Sequence, residues 1–119
     1  YLVNKLNEVL KPHGLYSSQW SILYLLHQNG PMSLTAIWKY LNVEAPTVTR
    51  TVNRLESLGW VERLYAMDKR EKMIFLTKKG LEQFPPIEAS VRSFEQEIEK
   101  KLTYEDQELL KGILKKIEG

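Results

Sequence analysis

The chain has 119 residues, 43% of them hydrophobic, and a formal net charge of +2, which suits one domain with one core. Its longest unbroken apolar run covers residues 22–26, far short of the ~20 residues a membrane-spanning helix needs, and no secretory leader pattern opens it. With no cysteine and only His13 and His27 as imidazoles, the sequence excludes disulfide frameworks, thiolate metal sites, thiol nucleophiles and histidine-rich zinc centres, so neither metal nor cofactor is expected.

Leu2, Val3, Leu6, Val9 and Leu10 fall at helical spacing and the pattern stops at Pro12 and Gly14, which predicts a first helix over residues 1–11. Ser17 or Ser18 is suited to cap a second helix reaching Gln28, with Ile22, Leu23 and Leu26 as its core stripe and Asn29-Gly30-Pro31 as its stop. Ser33 caps a short third helix, Leu34–Leu41, whose Leu34, Ile37, Trp38 and Leu41 share one face. A fourth helix carries Pro46 in its first turn, where the missing amide is no loss, and closes at Gly59. Residues 61–65 and 72–77 then read as two extended segments of a hairpin around the charged turn 66–71.

Thr77 caps a further helix that Pro85-Pro86 should interrupt early. Beyond it Ile87, Val91, Phe94, Ile98 and Leu102 recur at steps of three and four, a stripe that buries against partner helices. Thr103 with Asp106 resembles a capping box opening a last helix, with Leu109, Leu110, Ile113, Leu114 and Ile117 expected to face inward. The fold class is therefore mainly α with a small β-hairpin wing (α+β): a helix-turn-helix followed by a two-stranded wing. In that architecture the second helix of the pair can enter a major groove while the wing reaches a neighbouring one.

The charge is unevenly placed. Residues 1–38 carry a net +1, residues 39–79 carry nine basic against five acidic residues for +4, and residues 80–119 carry −3. A locally basic middle and an acidic last third permit an oriented approach to a polyanion. On a wheel of about 100° per residue, Val48, Val52 and Leu55 gather on the inward face of the fourth helix. Thr51 and Leu58 border them, and the opposite face gathers Pro46, Arg50, Asn53 and Ser57, flanked by Thr47, Thr49 and Arg54. A merely solvated face usually mixes Glu and Lys, whereas Thr, Asn and Arg are poor choices for helix propensity alone. Their chemistry suits DNA: arginine bonds guanine bidentately, asparagine bonds adenine, and threonine offers a methyl for thymine and a hydroxyl for phosphate. In the wing, Asp68, Lys69, Arg70 and Lys72 project a cation cluster, and Asp68 is placed to pair with Arg70 or Arg63 and stiffen the turn.

Two stretches resemble the MarR family of bacterial winged-helix regulators. They are L-N-V-E-A-P-T-V-T-R-T-V-N-R-L-E-S-L-G-W-V-E-R over residues 41–63 and D-K-R-E-K-M-I-F-L-T-K-K-G over residues 68–80. The sharper signal is Asp-x-Arg followed at fixed distance by Leu-Thr-x-x-Gly. Gly14-Leu15 through Gln19-Trp20 also resembles the start of the family's second helix. The resemblance implies one domain over residues 1–119, with a winged helix at about 17–80 and dimerisation helices at about 1–11 and 81–118. It further implies a homodimer whose two winged helices enter successive major grooves of a pseudo-palindrome, with Thr47, Thr49, Arg50, Asn53 and Arg54 facing the major groove and Arg70 the minor groove. Ser33, Thr35, Pro46, Asp68, Lys69 and Lys72 complete the expected DNA-contacting set.

Three features depart from the family pattern. The chain begins at Tyr1 without methionine and its first helix is short, so residues are expected to be missing before it. Trp38 stands where a small residue is general. Tyr16 replaces a common capping Thr or Ser, which should shift the cap to Ser17.

Members of the family often sense small aromatic acids or phenols between the dimerisation helices and the winged helix. Trp20, Tyr24 and His27 follow at i, i+4 and i+7 on helix two, with His13 and Tyr16 in the loop before it. His13, Tyr16, Trp20 and Tyr24 are the candidate lining of a pocket for an anionic aromatic ligand, although packing against another helix is the more ordinary role of such a stripe. The absence of cysteine excludes thiol-based peroxide sensing. No phosphate loop, Gly-x-Ser-x-Gly elbow or His-Glu-x-x-His motif occurs, and Glu95, Glu97, Glu99, Glu105, Asp106 and Glu108 lie on polar helix faces beside Lys100 and Lys101, so no enzyme is expected. The expected function is a sequence-specific transcriptional regulator, located in the bacterial cytoplasm and on the nucleoid when bound. Its expected partners are double-stranded DNA, a second copy of the chain and a small-molecule effector, with no membrane. Repression is the expected mode, because a dimer lying across a promoter blocks polymerase without further contacts. The alternative is a winged helix that docks a protein partner through the same helix face.

Overall fold

A computed structural model of the chain describes residues 2–65, 71–101 and 103–118. Helix α1 (Leu2–Leu10) leads through a 3-10 turn at Lys11–His13 into α2 (Ser17–Asn29). The cap of α2 is Tyr16, one residue before Ser17 and two before Ser18, the predicted serines. Its N–H donates to Gln19 Oε1 at 2.9 Å, while the Ser17 amide is taken by Asn7 Oδ1 at 2.7 Å, so the side chain three residues on satisfies the helix start and no cap hydroxyl is needed.

Strand β1 (Met32–Ser33) follows, then α3 (Leu34–Leu41) and α4 (Ala45–Ser57). Two residues are too short for a period to show, which is why β1 escapes a sequence reading. Ser33 Oγ accepts the Ala36 N–H at 3.1 Å, capping α3 as expected, and Asn42 closes the same helix in a left-handed conformation with φ 55°. Strands β2 (Val61–Tyr65) and β3 (Lys72–Leu76) pair antiparallel, with Val61 opposite Leu76 and Tyr65 opposite Lys72. The sheet order is β1-β3-β2, because Met32 pairs with Ile74 on the far edge of β3. The sheet thus ties the wing to the start of the helix-turn-helix.

Helix α5 (Lys78–Lys101) is continuous through Pro85 and Pro86, where an interruption was expected. Phe84 and Ile87 on either side of the pair are buried and hold the helix to the body. The two bonds that the prolines cannot donate would have gone to Leu81 and Glu82, both exposed, whose carbonyls can turn to water instead. Helix α6 (Tyr104–Glu118) starts at Thr103, whose Oγ1 accepts the Asp106 N–H at 3.2 Å.

The Leu-Thr-x-x-Gly stretch has a physical cause. Thr77 Oγ1 donates to the Gly59 carbonyl at 2.6 Å and accepts the Gly80 N–H at 3.1 Å, while the Thr77 N–H bonds the Trp60 carbonyl at 3.1 Å. One threonine therefore caps α5 and ties it to the turn that follows α4. A Cβ at Gly80 would lie 2.6 Å from the Trp60 carbonyl oxygen, so this crossing needs glycine.

The core joins Ile22, Leu23 and Leu26 of α2, Ile37 of α3, Val48, Val52 and Leu55 of α4, Val61 and Ile74 of the sheet, and Phe84, Ile87 and Val91 of α5. Trp38 packs half-buried against it. On α6, however, Leu110 is buried while Leu109 and Ile113 are 67% and 45% exposed, against the expectation that both face inward. They border an open apolar groove that Val9, Phe94 and Ile98 continue. The radius of gyration of 15.1 Å exceeds the ~13.5 Å usual for this length, as principal extents of 50 × 26 × 21 Å require.

Candidate nucleic-acid interface

Burial of Val48, Val52 and Leu55 fixes the rotation of α4 and leaves Pro46, Thr47, Arg50, Asn53, Arg54 and Ser57 exposed, with Thr49 half-buried beside them. Between Glu44 and Glu56 this face carries no acidic residue. Thr49 Oγ1 donates to the Ala45 carbonyl at 3.0 Å and Thr51 Oγ1 to the Thr47 carbonyl at 2.9 Å, so both hydroxyl protons stay within the helix. What Thr49 presents outward is its methyl group and oxygen lone pairs, a partner for a thymine methyl.

The wing is bonded to both helices of the pair. Arg63 on β2 donates through Nη2 to Asn53 Oδ1, and its Nε lies 3.5 Å from Glu56 Oε1. Thr35 Oγ1 at the start of α3 donates to Glu71 Oε1 beside β3 at 3.2 Å. Ser33 commits its oxygen to capping α3. Lys72 Nζ sits 5.3 Å from the Tyr65 ring centroid, across the β2–β3 register. Asp68, Lys69 and Arg70 lie outside the described residues, and so does either pairing of Asp68. Thr47, Arg50, Asn53 and Arg54 are thus brought onto one open face, while Lys72 and the Thr35–Glu71 contact lie at the turn end of the β2–β3 pair.

Sequence reasoning missed the positioning role of Arg63. It shares the inward phase of β2 with Val61, and its side chain is only 17% exposed. A charge at an inward position of a short strand was the available signal.

The aromatic stripe of α2 packs around Phe84 of α5. Trp20 stacks on that ring at 4.9 Å between centroids, His27 stacks at 3.8 Å, and Tyr24 tilts against it at 6.1 Å. Trp20 and Tyr24 also line a half-open cavity of about 390 Å³ between α2 and α5. His13 and Tyr16 are not brought to it: His13 Nε2 lies 3.1 Å from Ser90 Oγ, and Tyr16 is 65% exposed at the helix cap. The charged lining is Glu88, Arg92, Glu95 and Glu99, three carboxylates against one guanidinium, which is the wrong sign for the anionic ligand expected from the resemblance.

Comparison with known proteins settles the class. The MarR family model matches residues 15–72. The HTH-type transcriptional regulator YwoH of Bacillus subtilis (strain 168) is 51% identical over 107 residues, which cover 90% of this chain and 78% of YwoH. Among solved structures, a cysteine-to-serine mutant of MarR from E. coli complexed with operator DNA is similar at 32% identity and a TM-score of 0.80, covering 98% of this chain and 88% of that one.

The chain belongs to the MarR family. It is a MarR-type winged helix-turn-helix regulator of transcription, in a family of DNA-binding regulators and not of enzymes. Reduced AbfR bound to DNA is a further similar structure, at 28% identity and a TM-score of 0.74, covering 96% of this chain and 78% of that one. Among the described residues of this MarR-family chain, no helix is long and apolar enough to cross a membrane.

Proposed function

We propose that two copies of this chain bind a pseudo-palindromic DNA site as a homodimer and repress the adjoining genes, with release by a small-molecule effector. The observation that carries this reading is the open face of α4. It presents Thr47, Arg50, Asn53 and Arg54 with no carboxylate among them, and the Arg63 contacts set it at a fixed angle to the wing. Thr49 adds its methyl to the base-reading set, Pro46 opens the helix toward the backbone, and Ser33, Thr35 and Lys72 supply phosphate contacts beside it. Arg70, with Asp68 and Lys69 beside it in the sequence, is the proposed minor-groove contact, where an arginine gains from the negative potential. Residues 17–80 form the reading unit, and residues 1–11 and 81–118 form the dimerisation base.

The groove of about 780 Å³ between α1, α5 and α6 supports self-association. Val9, Phe94, Ile98, Leu109 and Ile113 offer an apolar floor, and Lys5, Glu8, Glu97, Lys101 and Asp106 give a rim of both signs, which suits a two-fold contact. Repression follows from occlusion, since a dimer spanning half-sites ~34–36 Å apart covers a promoter without contacting polymerase. Such a protein works in the bacterial cytoplasm, on the nucleoid when bound.

Selection of bound fragments from a random DNA pool, followed by gel shift at low salt, tests the reading. The expected result is a retained inverted repeat with a protein mass of two chains by scattering. A folded dimer that retains no fragment overturns it.

A further inference from the structure

Arg63 does more to Asn53 than hold it in place. On β2 its backbone sits opposite Ile74, which is fully buried, so the root of the side chain is fixed by the core. From there the guanidinium reaches two residues one turn apart on α4: Nη2 donates to Asn53 Oδ1, and Nε lies 3.5 Å from Glu56 Oε1. Nε is sealed from solvent without a hydrogen bond, so the ion pair with Glu56 is what offsets its burial. Glu56 thus steadies one side of the fork while the other side meets Asn53.

The bond fixes which end of the Asn53 amide is left over. A guanidinium carries five donors and no acceptor, so only the carbonyl oxygen of an asparagine can face it. Asn53 is exposed on the outward face of α4, and the end of its amide that remains for a base is the NH2. Asparagine reads adenine through both ends at once, the oxygen accepting from N6 and the NH2 donating to N7. Here the oxygen is already bound to a cation, and a cation beside the N6 amino group sets donor against donor. Guanine presents N7 and O6, acceptors both, and gains from the NH2 and the nearby positive charge together. Arg50, one turn earlier on the same exposed face, is likewise donor-only.

We infer that Asn53, oriented by Arg63, reads guanine and not adenine. The inference rests on the reading of α4 as the DNA-reading helix, and names the base that one of its residues takes. Arg63 and Glu56 act through Asn53 and are positioning residues, with no need to touch DNA themselves.

The test is competitive binding of the full chain to a selected DNA site and to variants carrying each base pair in turn at every position. Asn53→Ala, at an exposed position outside the core, marks the base pair that Asn53 reads as the one whose preference it flattens. There the parent should favour guanine over adenine by about tenfold. Arg63→Met keeps the apolar stem and removes the fork, so the amide can turn and present both ends. The guanine-to-adenine ratio at that position should then fall by about fivefold or more, with circular dichroism unchanged. Loss of a merely structural arginine would instead lower affinity for every variant alike. A parent that prefers an A·T pair there in either orientation overturns the inference, as does an Asn53→Ala that flattens no position, or a folded Arg63→Met that keeps the parent's ratio. The parent and Asn53→Ala decide the base whether or not Arg63→Met folds. A parent that retains no DNA defeats the regulator reading instead. The Asn53 side-chain amide signal in a nitrogen-15 correlation spectrum, taken without DNA, should move on Arg63→Met, and an unmoved signal overturns the orienting bond by itself.

Discussion

The head of the molecule, α2 to β3, and its base, α1, α5 and α6, are built to different degrees of completion. In the head every inward position of α4 is sealed: Val48, Val52 and Leu55 pack with Ile37, Val61 and Ile74 inside one chain. In the base the same helical periodicity leaves Leu109 and Ile113 on the surface. The difference teaches that apolar spacing marks a helix face suited to burial without saying whether the chain itself covers it. A head that is finished alone presents a rigid face, and in the proposed dimer the base would set the spacing between two such faces.

The largest expected effect breaks the base and spares the head. Leu109→Glu with Ile113→Glu places two like charges on the apolar floor of the groove, and should convert dimer to monomer in sedimentation equilibrium. Affinity for a two-half-site DNA should then fall by about a hundredfold or more, because the second contact is no longer intramolecular. Near-ultraviolet dichroism from Trp60 should stay as it was. A double variant that remains dimeric would place the dimer contact elsewhere and remove the comparison.

The joint between the two regions is next. Gly80→Ala puts a methyl group 2.6 Å from the Trp60 carbonyl oxygen, at the crossing where Thr77 ties α5 to the end of α4. Backbone has to shift there, and urea denaturation should show a loss of roughly 1–3 kcal/mol. Thr77→Val keeps the shape and removes both hydroxyl bonds, so it should lose about 1 kcal/mol.

Within the head, Arg50→Ala tests whether α4 reads bases. Discrimination at one base position should relax by roughly 1–3 kcal/mol, measured by competition with single-position variants of the selected site. An equal loss on specific and scrambled DNA would reduce Arg50 to a phosphate contact.

These contrasts also mark what was legible in the chain. The helix-turn-helix and the hairpin could be read because Val48, Val52 and Leu55 recur at helical spacing, Gly59 and Pro46 bound their helix, and the Leu-Thr-x-x-Gly stretch follows at a set distance. The outward set on α4 followed from the same rotation. Strand β1 could not be read, because two residues carry no periodicity and their pairing with β3 is long-range. Pro85-Pro86 misled because local propensity predicts a break, while Phe84 and Ile87 anchor the helix on both sides. The cavity's sign was hidden for another reason. Trp20 and Tyr24 lie on α2 and its carboxylates on α5, so only folding brings aromatic wall and charge together.

The smallest expected effect distinguishes the wing from the reading helix. Lys72 lies across the register from Tyr65 with its ammonium 5.3 Å from the ring, a contact that holds the side chain against the strand. In the proposed reading a lysine so placed meets phosphate as a point charge. Lys72→Ala should therefore lower the slope of log affinity against log salt by about 0.9, one released counterion, and leave base preference at every position unchanged. Arg50→Ala should change preference and Lys72→Ala should change only salt dependence. If Lys72→Ala altered preference, the wing would be reading sequence as well, and the division between a helix that specifies and a hairpin that anchors would fail.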